Sequence, residues 1–164
     1  MPSQSSKQAG QPTAWMDRFR TPGADELISG LSETDQAIFR DVREQLLTLE
    51  DISESILWHG LPWRWAFAYR TGGQSEAEPA TAYLVPNPEL PQLGLPLSVG
   101  FVAGLKPRRL SRPSRERLVH ATRVAGLLWT EWDLTSRAPL TEAIELLREA
   151  AGETAETKDA GAAV

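Results

Sequence analysis

The side chains in this 164-residue chain that could do chemistry fall into three groups: two histidines, a run of arginines and one acidic helix face. His59 and His120 have no partner at HxH or HxxxH spacing, so a transition metal would need distant carboxylates, and both read as structural. The segment KPRRLSRPSRERLVHATR, residues 106 to 123, holds seven of the seventeen Lys and Arg against one acid, Glu116. Guanidinium forks from Arg108, Arg109, Arg112 and Arg115, with amides at the start of a helix capped by Ser111 or Ser114, would make a phosphate or other anion site. The plainer reading is a solvated turn whose charges neutralise acidic neighbours. Glu33, Asp41, Glu44 and Asp51 are spaced to share one side of a helix and would offer oxygen ligands to a hard cation; a solvated helix face is again the plainer reading. The absence of cysteine excludes a thiolate nucleophile, a disulfide and a thiolate metal site. There is no GxSxG elbow, Walker loop or dinucleotide fingerprint, and the Gly72-Gly73 pair alone makes no phosphate loop. These features describe a non-enzymatic protein with no cofactor.

A binding surface is better supported than a reaction. ILWHGLPWRWAFAYR, residues 56 to 70, carries three of the six tryptophans. From Trp63 the residues alternate, with Trp63, Trp65, Phe67 and Tyr69 on one side of a strand and Arg64, Ala66, Ala68 and Arg70 on the other. Each such ring buries about 150–250 Å², worth at most about 4–6 kcal/mol before entropy is counted. Six tryptophans are more than a domain of about 130 residues usually buries completely. The expected site is therefore a concave one in which Trp63 or Trp65 meets Trp129 or Trp132, with Arg64 or Arg70 at its rim. It would suit a planar or anionic small molecule, a peptide, or a second copy of the chain. The alternative is that every ring is core.

The elements that must position these residues follow from pattern. Ser32 can cap a helix with Asp35 three residues on, and Ile38, Phe39, Val42, Leu46 and Leu49 then fall on one stripe, predicting a helix over 33–50. A strand from Trp63, a second over 80–85, a third over 97–103 and a fourth over 127–134 follow, with the proline-rich PNPELPQLGLP expected to be neither helix nor paired strand. A last helix is expected near Pro139, stopped by Gly152. The fold class is α+β: a single small, mostly antiparallel sheet of four or five strands with N-terminal and C-terminal helices packed on it. Residues 23–152 are the domain, between disordered tails at 1–22 and 153–164, where Trp15 and Phe19 are the only aromatic anchors.

Net charge of -5 and a pI near 5.1 argue against a generally basic nucleic-acid coat, leaving nucleic acid to the arginine segment alone. No apolar run reaches the roughly 18 residues of a membrane span and the N-terminus has no apolar signal core, so a cytoplasmic protein without a membrane partner is expected. The run Glu54, Ser55, Ile56, Trp58, His59, Gly60, Pro62, followed by an aromatic strand and later by LSVGFVAG and LTEAIELLREA, resembles the YdhG-like family of small bacterial α+β proteins over about residues 24 to 152. That resemblance implies a small sheet with helices packed against it. The family is a domain of largely unknown function, some members being labelled frataxin-like iron chaperones, which would assign metal handling to the acidic helix. Where the family usually has a lysine-rich turn after the second strand, this chain has PNPELP. The combined expectation is a module binding a small molecule or protein through its aromatic face.

Overall fold

Ser32 opens the long N-terminal helix as its sequence predicts, its hydroxyl accepting the Asp35 N–H at 3.2 Å. In this computed structural model the described residues are 13–161, with side chains described to residue 152. A short helix α1 (Ala24–Ser29) leads into α2 (Glu33–Leu47), whose stripe of Phe39, Val42 and Leu46 is buried. β1 (Ile52–Trp58), β2 (Trp65–Thr71), β3 (Ala82–Val85) and β4 (Gln92–Ser98) follow. After them come α3 (Val99–Ala103), α4 (Arg112–Val119), β5 (Thr122–Val124), β6 (Leu127–Asp133) and α5 (Arg137–Gly161). The strands form one antiparallel sheet in the order β1-β2-β3-β4-β6-β5.

Cross-strand partners share a face, so Ile56, Phe67, Leu84, Leu93 and Trp132 form one row under the helices. Phe39 of α2 meets Phe67 edge-on at 5.4 Å, and Leu140, Ile144 and Leu147 of α5 are buried in the same core. Among the described residues no helix is long and apolar enough to cross a membrane.

The α+β class and the single antiparallel sheet are as expected, but the strands number six rather than four or five. β1 escapes the pattern because Glu54 occupies an inward position, where Arg43 and Tyr69 satisfy it. β5 is three residues long and joins β6 through Ala125 and Gly126, both at positive φ (50° and 79°), a two-residue hairpin turn. Of the third expected strand, over 97–103, only Leu97 and Ser98 are strand, at the end of β4, and 99–103 are a helix instead. Ser98 accepts the Phe101 N–H at 3.1 Å and caps α3. The paired strand lies earlier, in β4, within the stretch read as unpaired. Pro96 is tolerated there because β3 pairs β4 only as far as Gly94, so beyond that point the β3 side is an edge. α5 continues past Gly152 to Gly161, since one glycine costs a helix about 1 kcal/mol and most of the residues after it are Ala, Glu and Lys, which are good helix formers.

The largest revision is at the N-terminus. Trp15 is 8% exposed, and its indole N–H donates to the carbonyls of Trp63 and Trp65, both at 3.0 Å. The Trp65 indole N–H returns a bond to the Asp17 carbonyl at 2.7 Å. Residues 13–22 therefore belong with the folded unit, whereas 1–12 of the expected tail lie outside the described residues. Three apolar residues in a polar stretch, Trp15, Met16 and Phe19, make no periodic pattern. Trp15→Phe, which keeps the ring's bulk and deletes the donor, should cost about 1–2 kcal/mol in urea unfolding, because two buried carbonyls lose their partner.

Candidate functional site

The aromatic cluster is built on a gap. On the second face of the sheet, Tyr83 of β3, Gly94 of β4 and Glu131 of β6 lie in one cross-strand row, and Gly94 leaves the middle of that row without a side chain. The indole of Trp63 fills it: a Cβ on Gly94 would sit 2.2 Å from Trp63 Cη2. Trp63 reaches that place because it is not in a strand. After Trp58 the chain makes a tight turn in which His59 N–H donates to the Arg64 carbonyl at 2.8 Å and Arg64 N–H to the Gly60 carbonyl at 2.6 Å. Gly60 takes φ 105° there, a backbone geometry that a side chain would strain.

Four rings converge on this gap. His59 lies 4.7 Å from Trp63, 5.0 Å from Tyr83 and 5.8 Å from Trp129. Trp63 is 5.4 Å from Tyr83 and 6.0 Å from Trp129, and Tyr83 stacks on Trp129 at 5.8 Å. The Trp63 indole N–H donates to Glu131 Oε1 at 3.0 Å, which locks the ring's orientation. Trp63 and Tyr83 are buried, Trp129 is half-buried, and His59 and Glu131 are open to solvent. The three rings around the His59 imidazole half-enclose it, and this burial pushes its pKa below the ordinary value. It therefore presents a neutral ring at pH 7. The exposed part of the site thus belongs to a neutral imidazole and an indole beside one carboxylate.

Of the six residues expected here, the structure brings together Trp63 and Trp129. Trp65 and Trp132 lie on the helix-covered face, because Trp129 and Trp132, three apart on a strand without a bulge, point opposite ways. Trp132 is fully buried and donates to Thr130 Oγ1 at 2.8 Å. Trp65 packs edge-on to Trp58 at 5.6 Å. Arg64 stands over the Trp15 ring at 5.4 Å, and Arg70 turns to the Glu76 and Glu78 carbonyls at 3.5 and 3.4 Å. The charge at the rim is therefore Glu131, opposite in sign to the expected arginine. Tyr83, Gly94 and Glu131 went unread, since their meeting depends on a register across three strands.

The arginine segment divides. Arg109 pairs with Glu149, and Arg112 with Glu116 at 3.0 Å. Arg117 bonds Asp133 at 3.0 Å and the Glu131 carbonyl at 2.8 Å. Arg108 and Arg115 are exposed. The helix end expected to receive an anion already holds one of the protein's own: both Glu142 oxygens accept the Ser111 N–H at 3.2 Å. On the acidic helix, Asp41 bonds Gln45 at 3.2 Å, and Asp51 lies beyond the helix at φ 53°, its carboxylate against Gly72. Among the described residues no three His, Asp or Glu side chains gather to hold a metal ion. The PNPELP stretch walls, with Met16 and Leu61, an open groove of 550 Å³. No protein-family model matches the chain, and no curated protein matches it significantly.

Proposed function

We propose that this protein is a cytoplasmic, non-enzymatic binding module that takes a flat cationic group, from a small molecule or a protein partner, on Trp129 and His59 beside Glu131. The observation that carries the reading is the Trp63 indole seated on Gly94 and held by Glu131, which makes a rigid aromatic platform edged by a carboxylate. A preorganised platform loses little conformational entropy on binding. Indole faces attract cations through the ring quadrupole, and the carboxylate adds a charge-assisted hydrogen bond. The resemblance of residues 54–62 to the YdhG-like family accords with a small α+β domain.

Benzamidinium is a suitable probe, with neutral benzamide of nearly the same shape as its control. Titration followed by the indole N–H resonances should move Trp129 and Trp63 with a dissociation constant of about a millimolar, worth roughly 4 kcal/mol. Trp129→Ala and Glu131→Gln should each weaken this at least severalfold. Equal response to benzamide, or no response to either, rejects the reading.

A further inference from the structure

The two edges of the sheet are treated differently. At one end β5 is only three residues long, all exposed and including Arg123, and past it the bare flank of β6 is covered by Arg117 bonding the Glu131 carbonyl at 2.8 Å. Short, charged and covered edges are how proteins prevent strand addition. At the other end β1 is seven residues, Ile52–Trp58, with no proline, glycine, lysine or arginine. Its single charge, Glu54, is taken by Arg43 at 2.8 and 2.9 Å and by the Tyr69 hydroxyl at 2.7 Å. Nothing in that strand resists pairing.

Which backbone groups point outward follows from two bonds. His59 N–H donates inward to Arg64 O, and the carbonyl of Tyr69, which faces Glu54 across the ladder, is turned away from β1 to accept the Thr81 N–H at 2.9 Å. In an antiparallel ladder the direction alternates residue by residue, so Ile52, Glu54, Ile56 and Trp58 present their N–H and C=O groups outward. β1 is the end strand of the sheet, so among the described residues no strand pairs with these groups.

We propose that β1 pairs with β1 of a second copy about a two-fold axis at Ser55, joining two sheets into one. In this register Glu54 faces Ile56 of the second copy and Ile52 faces Trp58, so every outward N–H and C=O of the strand finds a partner. A centre at Glu54 would oppose two carboxylates and leave Trp58 unmatched; a centre at Ile56 leaves Ile52 unmatched. A two-fold pairing keeps each sheet face continuous, which the strand's even spacing of apolar residues requires. Ser55, small and exposed, meets itself at the axis in a non-hydrogen-bonded pair, with Cα atoms about 4.5 Å apart. This surface is separate from the aromatic site and does not rest on its function.

The test uses the full chain, which has no cysteine of its own. Sedimentation should give twice the 18.1 kDa of one chain. Ser55→Lys sets two like charges opposite each other and should raise the dissociation constant at least about tenfold, with unchanged far-UV circular dichroism. Ser55→Cys lies within disulfide geometry of its mate and should yield a covalent dimer on mild oxidation, while Ser53→Cys, opposite Leu57 of the second copy, should not. A single-chain mass at about 100 µM, where any dimer tighter than that populates, overturns the proposal. So does a dimer indifferent to Ser55→Lys, or cross-linking at Ser53→Cys equal to that at Ser55→Cys.

Discussion

Gly94→Ala should lower the melting temperature by about 6–12 °C, the equivalent of roughly 3 kcal/mol at 2–4 °C per kcal/mol for a chain of this length. The added methyl would stand 2.2, 2.8 and 3.0 Å from three atoms of the Trp63 six-membered ring. Those atoms belong to a rigid bicycle with its N–H fixed on Glu131 and its faces against His59 and Tyr83, so no terminal rotation relieves the clash. The indole must leave, giving up a hydrogen bond and its aromatic contacts together. Near-UV circular dichroism should fall with the melting temperature, since the packed rings lose their fixed environment. The Trp63→Ala change alone should cost about 3–5 kcal/mol, and in that background Gly94→Ala should add little, because the methyl then enters vacated space. Thermal melts of the four proteins check this. A Gly94→Ala protein melting within about 2 °C of the parent means that the ring does not lie on Gly94.

How much of this was legible in the sequence depended on the range of the interaction. The cap at Ser32 and the stripe from Phe39 to Leu46 are local, and α2 follows from them, ending three residues before its expected stop at Glu50. β6 also lies nearly where its apolar run placed it. β1 was hidden because its inward Glu54 looks solvated until Arg43, eleven residues upstream, and Tyr69, fifteen downstream, are set beside it. α3 was hidden because VGFV favours a strand by propensity, and only the Ser98 cap and the turn back from β4 make it helical. The candidate site splits along the same line. Counting alternation puts Trp63 on the side of Trp65 and Phe67, whereas the turn before β2 carries its ring to the opposite face, beside Trp129; the place of Gly94 between Tyr83 and Glu131 needs a three-strand register that composition does not encode. The rim charge was misread for the same reason, since Arg64 and Arg70 find partners in Trp15 and in the 72–81 loop, both remote from the ring cluster in pattern.

Arg43→Met should cost about 2–3 kcal/mol at pH 7 and distinctly less at pH 4, a pH dependence opposite to that of the parent's own carboxylate. Burial alone would push the Glu54 carboxyl up, but the Arg43 guanidinium and the Tyr69 hydroxyl together outweigh it and hold the pKa below the ordinary value. A carboxyl depressed in the folded state contributes stability that is present above the unfolded pKa, about 4.3, and is lost as pH falls through the folded one. The parent therefore loses this contribution on acidification below about pH 4. Without Arg43 the burial is opposed by Tyr69 alone, and the Glu54 side chain is only 17% exposed, so its pKa should move up past the unfolded value. The sign then reverses: protonation relieves the variant, and the difference in stability from the parent narrows as pH drops from 7 to 4. Burial beside the Glu54 carboxylate also pushes the Tyr69 hydroxyl up, so at the alkaline end stability falls from about pH 10, where a free tyrosine ionises. Replacing both members of the pair, Arg43→Met with Glu54→Leu, removes the stranded charge and should recover most of the loss at pH 7, leaving Tyr69 to find water. Urea unfolding of parent, single and double variants at pH 4, 5.5 and 7 supplies the comparison. A loss from Arg43→Met that is the same at all three values, or a double variant no more stable than the single one, means that Glu54 reaches solvent freely and the pair is an ordinary surface contact.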